Sequence, residues 1–265
     1  MKRYISFFMI LSLCFSFAAC SVKDDSSEVS HQPPQTVTTT VPKPIIEAAE
    51  HSRDFTDENG RVVYTLKAFL PQITGNAAEN TASYINKFSY GLFEEACEFA
   101  LSNIENAANF MDSQGNGKPW SRMLDFDISY SDGRFLSIVV KDYFSMFGSE
   151  EIEPTLTGYT FDIISGMPCT ILDFTYENYS INEIERVVEE DFLFETVSDY
   201  FFNGTPLTDE QKQTVRDVFD TSNFYLIENG IMFYFSGYEI SPMHHGTFTV
   251  DYTWDEIALI LKMPK

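Results

Sequence analysis

Positive charge is scarce in this sequence: 17 Lys and Arg stand against 40 Asp and Glu, a formal charge of −23. Such a surface repels phosphate backbones and anionic headgroups, which excludes nucleic-acid binding. Long hydrophobic runs are also lacking, since the longest, Tyr4 to Ala19, is interrupted by Ser6, Ser12 and Ser16 and is too short for a comfortable bilayer span. Cysteine is sparse, with four residues and no CxxC pair, and no Gly-rich phosphate loop or serine nucleophile elbow occurs. What is present is apolar bulk. With 44% hydrophobic and 15% aromatic residues among 265, the chain can bury a sizeable core in one domain or two small ones.

The short run is placed like a leader. Met1, Lys2 and Arg3 precede it, and it ends in Phe17-Ala18-Ala19-Cys20, which resembles the lipobox of bacterial lipoproteins, with Phe17 where Leu is usual. The resemblance implies cleavage after Ala19 and lipid on Cys20. The acyl chains, at about 0.8 kcal/mol per buried methylene, then hold the protein on the extracytoplasmic face of the membrane. Removal of residues 1–19 takes Lys2 and Arg3 away and leaves 15 cations against 40 anions, a charge of −25. Of the remaining cysteines, Cys97 and Cys169 fit either one disulfide or two buried thiols.

Residues 20–44, with Pro33, Pro34, Pro42, Pro44 and a Thr-rich run, read as the lipidated cysteine and a disordered linker. The folded part is expected over residues 45–265, divided into subdomains 45–120 and 121–265. Val62–Pro71 alternates as a half-buried strand, and Asn80–Phe110 has the spacing of one long helix with Glu94, Glu95 and Glu98 on its wet side. Leu124–Tyr130 and Arg134–Phe144 form a hairpin pattern around Asp132-Gly133. Gly158–Ile164 is a further strand, followed by a short one through Leu172. Helices are expected over Ile181–Phe202 and Thr208–Phe219, the second opened by a Thr208/Gln211 capping box. Strands Phe224–Ile227, Ile231–Phe235 and Gly246–Tyr252 then precede a last helix, Thr253–Leu261. Without a regular βαβ rhythm, the class is α+β, an antiparallel sheet packed with a few helices.

Tyr64, Pro71, Ile73 and Ile85-Asn86 resemble the opening of the extracytoplasmic domain of PdaC-type peptidoglycan deacetylases. Phe224-Tyr225-Leu226, Gly230-Ile231, Phe235, the run Tyr238-Glu239-Ile240-Ser241-Pro242, Gly246 and Tyr252 resemble the end of the domain shared by those enzymes and the lysozyme-sensing RsiV-type anti-sigma factors. Gly158–Asp162 with Ser165-Gly166 fits the central hairpin of that family. Where relatives carry a Gly/His-rich turn before the hairpin, this chain has Met146-Phe147-Gly148-Ser149-Glu150-Glu151. Tyr238, Glu239, Pro242 and Gly246 are expected to be fold residues, with the Tyr238 ring buried.

An anti-sigma factor needs a cytoplasmic segment, and three residues precede the apolar run; a deacetylase needs a further domain with Asp and His ligands, and the sequence stops at Lys265. The expectation is therefore a non-enzymatic, lipid-anchored module that recognises peptidoglycan or a lysozyme-like cationic protein. The alternative is a peptidoglycan-modifying hydrolase or its accessory subunit. No cofactor, metal or catalytic set is expected. His244-His245 lacks a third ligand at a recognisable spacing, and Asp112–Gly117 imitates a calcium loop but has Met123 where the bidentate Glu belongs. Glu150-Glu151 and Glu189-Glu190-Asp191 read as solvated acids.

If Cys20 carries the anchor, Cys20→Ala is expected to leave a protein that is poorly exported or shed into the medium, measured by fractionating cells. Unchanged membrane retention refutes the assignment.

Overall fold

The alternating run at Val62 is one of the central strands of the protein. In the computed structural model, which describes residues 41–113, 117–146, 153–176, 179–236, 247–258 and 260–262, it extends to Gly75 as β2 (Val62–Gly75). On one side it pairs with β1 (Ile45–Thr56), on the other with β3 (Trp120–Ser131). The β3–β4 hairpin leads to β4 (Phe135–Ser145), and β5 (Thr155–Asp162) closes a five-stranded sheet in the order β1-β2-β3-β4-β5. At the hairpin turn the Asp132 carboxylate accepts the N–H groups of Arg134 (2.7 Å) and Phe135 (2.6 Å), an Asx turn. A second sheet holds β6 (Phe224–Ile227), β7 (Gly230–Ser236) and β8 (Thr247–Thr253) in sequence order.

The class is α+β, as expected. The second sheet is antiparallel, while the first contains one parallel pair, β2 with β3. The cause is the intervening helical crossover, α1 (Glu79–Ser102) and α2 (Ile104–Ser113), which returns the chain to the end of the sheet it left. The single long helix expected over Asn80–Phe110 breaks at Asn103. There the Asn103 amide and the Ser102 hydroxyl both donate to the Phe99 carbonyl, at 2.9 and 2.8 Å, in place of continuing backbone bonds.

Register sorts the side chains by face. Leu66 and Ala68 of β2, Leu124 of β3, Leu136, Ile138 and Val140 of β4 and Phe161 of β5 are buried under α1. On the opposite face, Val139 meets Tyr225 and Tyr234 of the second sheet. Three hydrogen bonds join the sheets there. The Leu226 N–H donates to the Ser137 hydroxyl (2.9 Å), the Gly158 N–H to the Tyr234 phenol oxygen (2.9 Å) and the Leu156 N–H to the Thr247 hydroxyl (2.8 Å). A Cβ on Gly158 would stand 2.8 Å from the Phe224 carbonyl oxygen, so the approach of β5 to β6 requires glycine. Two of these bonds, from Leu156 and Gly158, satisfy outward amides of β5, an edge strand that would otherwise expose them.

The helical segment 181–202 is continuous but not uniform. It runs as α3 (Ile181–Val188), a π-helical turn (Glu189–Leu193) and α4 (Phe194–Phe202). Among its described side chains the fully buried ones are Ile184, Val188, Leu193 and Val197, a spacing of four, five and four. One five-residue step does not fit a 3.6-residue period, and the π turn absorbs the extra residue so that all four face one core. α5 (Asp209–Val218) carries the expected Thr208/Gln211 capping box.

Several expectations change. The strand through Leu172 is a 3-10 turn, Ile171–Phe174, whose start is held by reciprocal Thr170/Asp173 bonds; Pro168, without an N–H, makes only an isolated bridge to Phe161. The last helix is a series of turns. Thr253 and Glu256 make the reciprocal bonds of a helix start, but Leu261 is drawn into a bridge with Thr175 and the Lys262 N–H donates to the Phe174 carbonyl (2.7 Å). Strand β1 was not foreseen, because only Phe55 of its twelve residues is buried. Residues 41–44 lie on the fold, with Pro44 buried and the Lys43 carbonyl accepting from the Asn76 amide (3.0 Å). The division placed after residue 120 falls at the first residue of β3, and β3 pairs with β2, so both halves share one sheet.

Removing the Tyr234 hydroxyl leaves the buried Gly158 N–H without its acceptor. Tyr234→Phe is expected to lose about 1 to 3 kcal/mol of stability in urea denaturation; an unchanged midpoint contradicts that role of the phenol.

The Glu189 carboxyl, 3.3 Å from Arg216, is pushed above the ordinary glutamate range by burial, with Arg216 opposing the shift. A carboxyl raised in the folded state favours folding while protonated, and that contribution is lost as pH rises through its folded pKa. The stability of the wild type relative to Glu189→Gln is therefore expected to fall from mildly acid to neutral pH. Parallel thermal-melting curves across that range refute the assignment.

Candidate functional site

The residues singled out from the family-like ending, Tyr238, Glu239, Pro242 and Gly246, lie outside the described residues, as do Cys20, the His244-His245 pair and Glu150-Glu151. The described parts are the strands flanking that ending, β7 up to Ser236 and β8 from Thr247. Cys97 and Cys169 are both free. Cys97 lies on the buried side of α1, while Cys169 packs against the core of the second sheet. Burial raises both thiols, Cys169 to about 12, which keeps them from acting as thiolates near neutral pH.

Of the acids considered as a calcium loop or glycosidase pair, Asp112, Glu189 and Glu190 have partners among the described residues. Asp112 is engaged by both ends of the Arg61 guanidinium, which also bonds Asp57 (3.1 Å). Glu190 pairs with Arg186 (2.9 Å) and Glu189 with Arg216. The carboxyls of Asp57, Asp112, Glu183 and Glu256 lie below their ordinary values. Asp57 is lowered first by the Arg61 backbone N–H, Asp112 by the Arg61 side chain, and the other two by the hydroxyls of Ser180 and Thr253. The interactions of Asp57, Glu183 and Glu256 are those of turns and caps and that of Asp112 is an ion pair between distant residues, and all make the carboxylates poorer proton donors at neutral pH.

Two surfaces stand out. The first is the outer side of α1. The buried positions Ile85, Ser89, Phe93, Ala96 and Ala100 turn one stripe inward, and at 100° per residue Lys87, Gly91, Glu94 and Glu98 fall opposite it. Tyr84 and Glu95 flank this line on one side, Tyr90 and Leu101 on the other. Tyr84, Tyr90 and Leu101 are 45, 44 and 51% exposed. Among the described residues Glu94, Glu95 and Glu98 form no ion pair, Glu94 and Glu98 repel at i,i+4, and no basic residue stands in the last turn. Acids in the C-terminal part of a helix oppose its dipole as well, so the arrangement does not serve the stability of the helix.

The second is the face of the five-stranded sheet opposite α1. The second sheet packs beside β5 and across the middle of β4, and among the described residues it leaves β1, β2 and the far ends of β3 and β4 open. Register lines up Asp54, Thr65, Ser121 and Ser145 in one row and Ser52, Lys67, Met123 and Tyr143 in the next. Together they line a groove of about 610 Å³. Lys67 is paired with Glu50 (3.1 Å) and lies over the Phe69 ring. Arg122, at the groove margin, is held by Asp142 through its Nε at 2.9 and 3.1 Å.

None of the curated proteins matches this sequence. Among solved structures, the chain is similar to a DUF3298 family protein from Bacteroides fragilis, with a TM-score of 0.58 and 13% identity over 85% of this chain and 96% of that one. It is likewise similar to a DUF3298 family protein from Pseudomonas aeruginosa, with a TM-score of 0.52 and 14% identity over 83% of this chain and 94% of that one. At these identities the likeness is one of fold. In sequence, residues 173–255, which carry the segment from the 3-10 turn through β8, match the model of a family described as a protein of unknown function, DUF3298.

Proposed function

We propose that the chain is a non-catalytic binding module, held on the extracytoplasmic face of a bacterial membrane through lipid on Cys20, that docks a basic, lysozyme-like protein on the outer stripe of α1. The observation that carries this reading is the set of glutamates with no ion pair among the described residues, Glu94, Glu95 and Glu98, set between exposed Tyr84, Tyr90 and Leu101. Tyrosine supplies contact area at low entropic cost and is enriched in interface hot spots, while the carboxylates steer a cation toward it. The formal charge of −23 extends that steering over the whole surface. In favour of binding over a peptidoglycan hydrolase is the state of the acids, since a general acid needs a raised carboxyl in an accessible cleft. Among the described residues the one carboxyl that is raised, Glu189, is largely buried against Arg216.

The test is calorimetry with lysozyme at low and physiological salt, comparing the wild type with Glu94→Lys/Glu98→Lys. Screening over about 8 Å at physiological ionic strength removes attraction by charge alone and leaves a packed interface. Binding is expected to persist at the higher salt and to weaken at least tenfold in the variant. Equal binding of an unrelated basic protein of similar size, or a variant that binds like the wild type, sinks the proposal. Acetate or reducing ends released from peptidoglycan fragments would overturn its non-catalytic part.

A further inference from the structure

The groove on the open face of the five-stranded sheet differs from α1 in chemistry. The hydroxyls of Ser121 and Tyr143 can donate and accept, that of Thr65, which donates to the Trp120 carbonyl at 3.4 Å, can accept, and the exposed Asp54 carboxylate accepts alone. Met123, 37% exposed, and the Tyr143 ring provide apolar surface one register row from Asp54. Among the described residues the cations beside the groove are neutralised, Lys67 by Glu50 and Arg122, whose guanidinium lies over Phe99 of α1, by Asp142, so an anionic ligand meets Asp54 and no unpaired cation among them. The chain's −23 charge opposes anionic polymers further.

From this juxtaposition we infer that the groove binds an uncharged oligosaccharide, with sugar hydroxyls on Asp54, Thr65 and Ser121 and a ring face against Tyr143 and Met123. Neighbouring strands are about 4.8 Å apart, close to the rise of one pyranose ring in an extended glycan, so a chain lying across β1 to β4 meets a new polar position with each ring. The volume falls within the roughly 300 to 1,000 Å³ of small-ligand sites. Because paired strands hold the groups, little ordering is needed on binding. The inference deepens the reading of the chain as a cell-wall-facing binding module and rests on it for the source of the glycan, but the site does not involve the α1 stripe.

The experiment uses the full chain in lipid nanodiscs and tri-N-acetylchitotriose as the probe, with binding followed by calorimetry and by NMR of the saccharide. Saturable binding is expected, weakened at least fivefold by Asp54→Asn and by Tyr143→Leu. Asp54 is exposed on an edge strand, so its variant reports on the groove without loss of the fold. Glu94→Lys/Glu98→Lys is expected to bind the trisaccharide like the wild type, which separates this site from the protein-docking surface. The inference is overturned by absence of saturable binding, by full affinity in Asp54→Asn, by loss of binding in the α1 variant, or by trilysine displacing the trisaccharide from the groove.

Discussion

The contact on which this arrangement depends is the meeting of β5 with the second sheet at Gly158. There the missing side chain lets the Phe224 carbonyl approach, and the freed amides of Leu156 and Gly158 find side-chain oxygens on Thr247 and Tyr234. A buried amide without an acceptor costs about as much as a hydrogen bond contributes, so the joint holds only when sterics and polar pairing are met together. Ser137 takes part twice, accepting from the Leu226 N–H and bonding the Thr160 hydroxyl within the first sheet.

Both surfaces of interest follow from that joint. With β6–β8 fixed beside β5 and across β4, the rest of the sheet face is left uncovered by the described residues and its polar side chains form the groove. With the opposite face given to α1, the helix turns its apolar stripe inward and its glutamates outward. The two surfaces thus lie on opposite sides of one sheet and differ in character, one unpaired and acidic, the other hydroxyl-rich with its cations neutralised. A module built in this way presents two chemistries on one rigid scaffold.

The helical segment shows how packing selects local geometry. Ile184, Val188, Leu193 and Val197 must share one core, and their spacing of four, five and four residues places them there only through a π turn. That signal stood in the sequence as an apolar step of five residues within a helical period. Thr208/Gln211 and Ser180/Glu183 cap the flanking helices by bonds spanning three residues, which is why such boxes are readable from sequence.

The sequence by itself determined what depends on near neighbours and composition: the acidic charge, the class, the β3–β4 hairpin at Asp132-Gly133, the capped helix at Thr208 and the wet side of α1 at Glu94, Glu95 and Glu98. Tertiary structure decided what depends on distant partners. Strand β1 is polar at most positions and becomes a strand because β2 offers a full-length edge to pair with. The parallel pairing of β2 with β3 follows from where the α1–α2 crossover returns the chain, and the turns after Thr253 replace a helix because Leu261 and Lys262 bond to Thr175 and Phe174. The groove was invisible for the same reason. Asp54, Thr65, Ser121 and Tyr143 become neighbours only through strand register, a relation between residues as many as 89 positions apart in the chain that no local periodicity records.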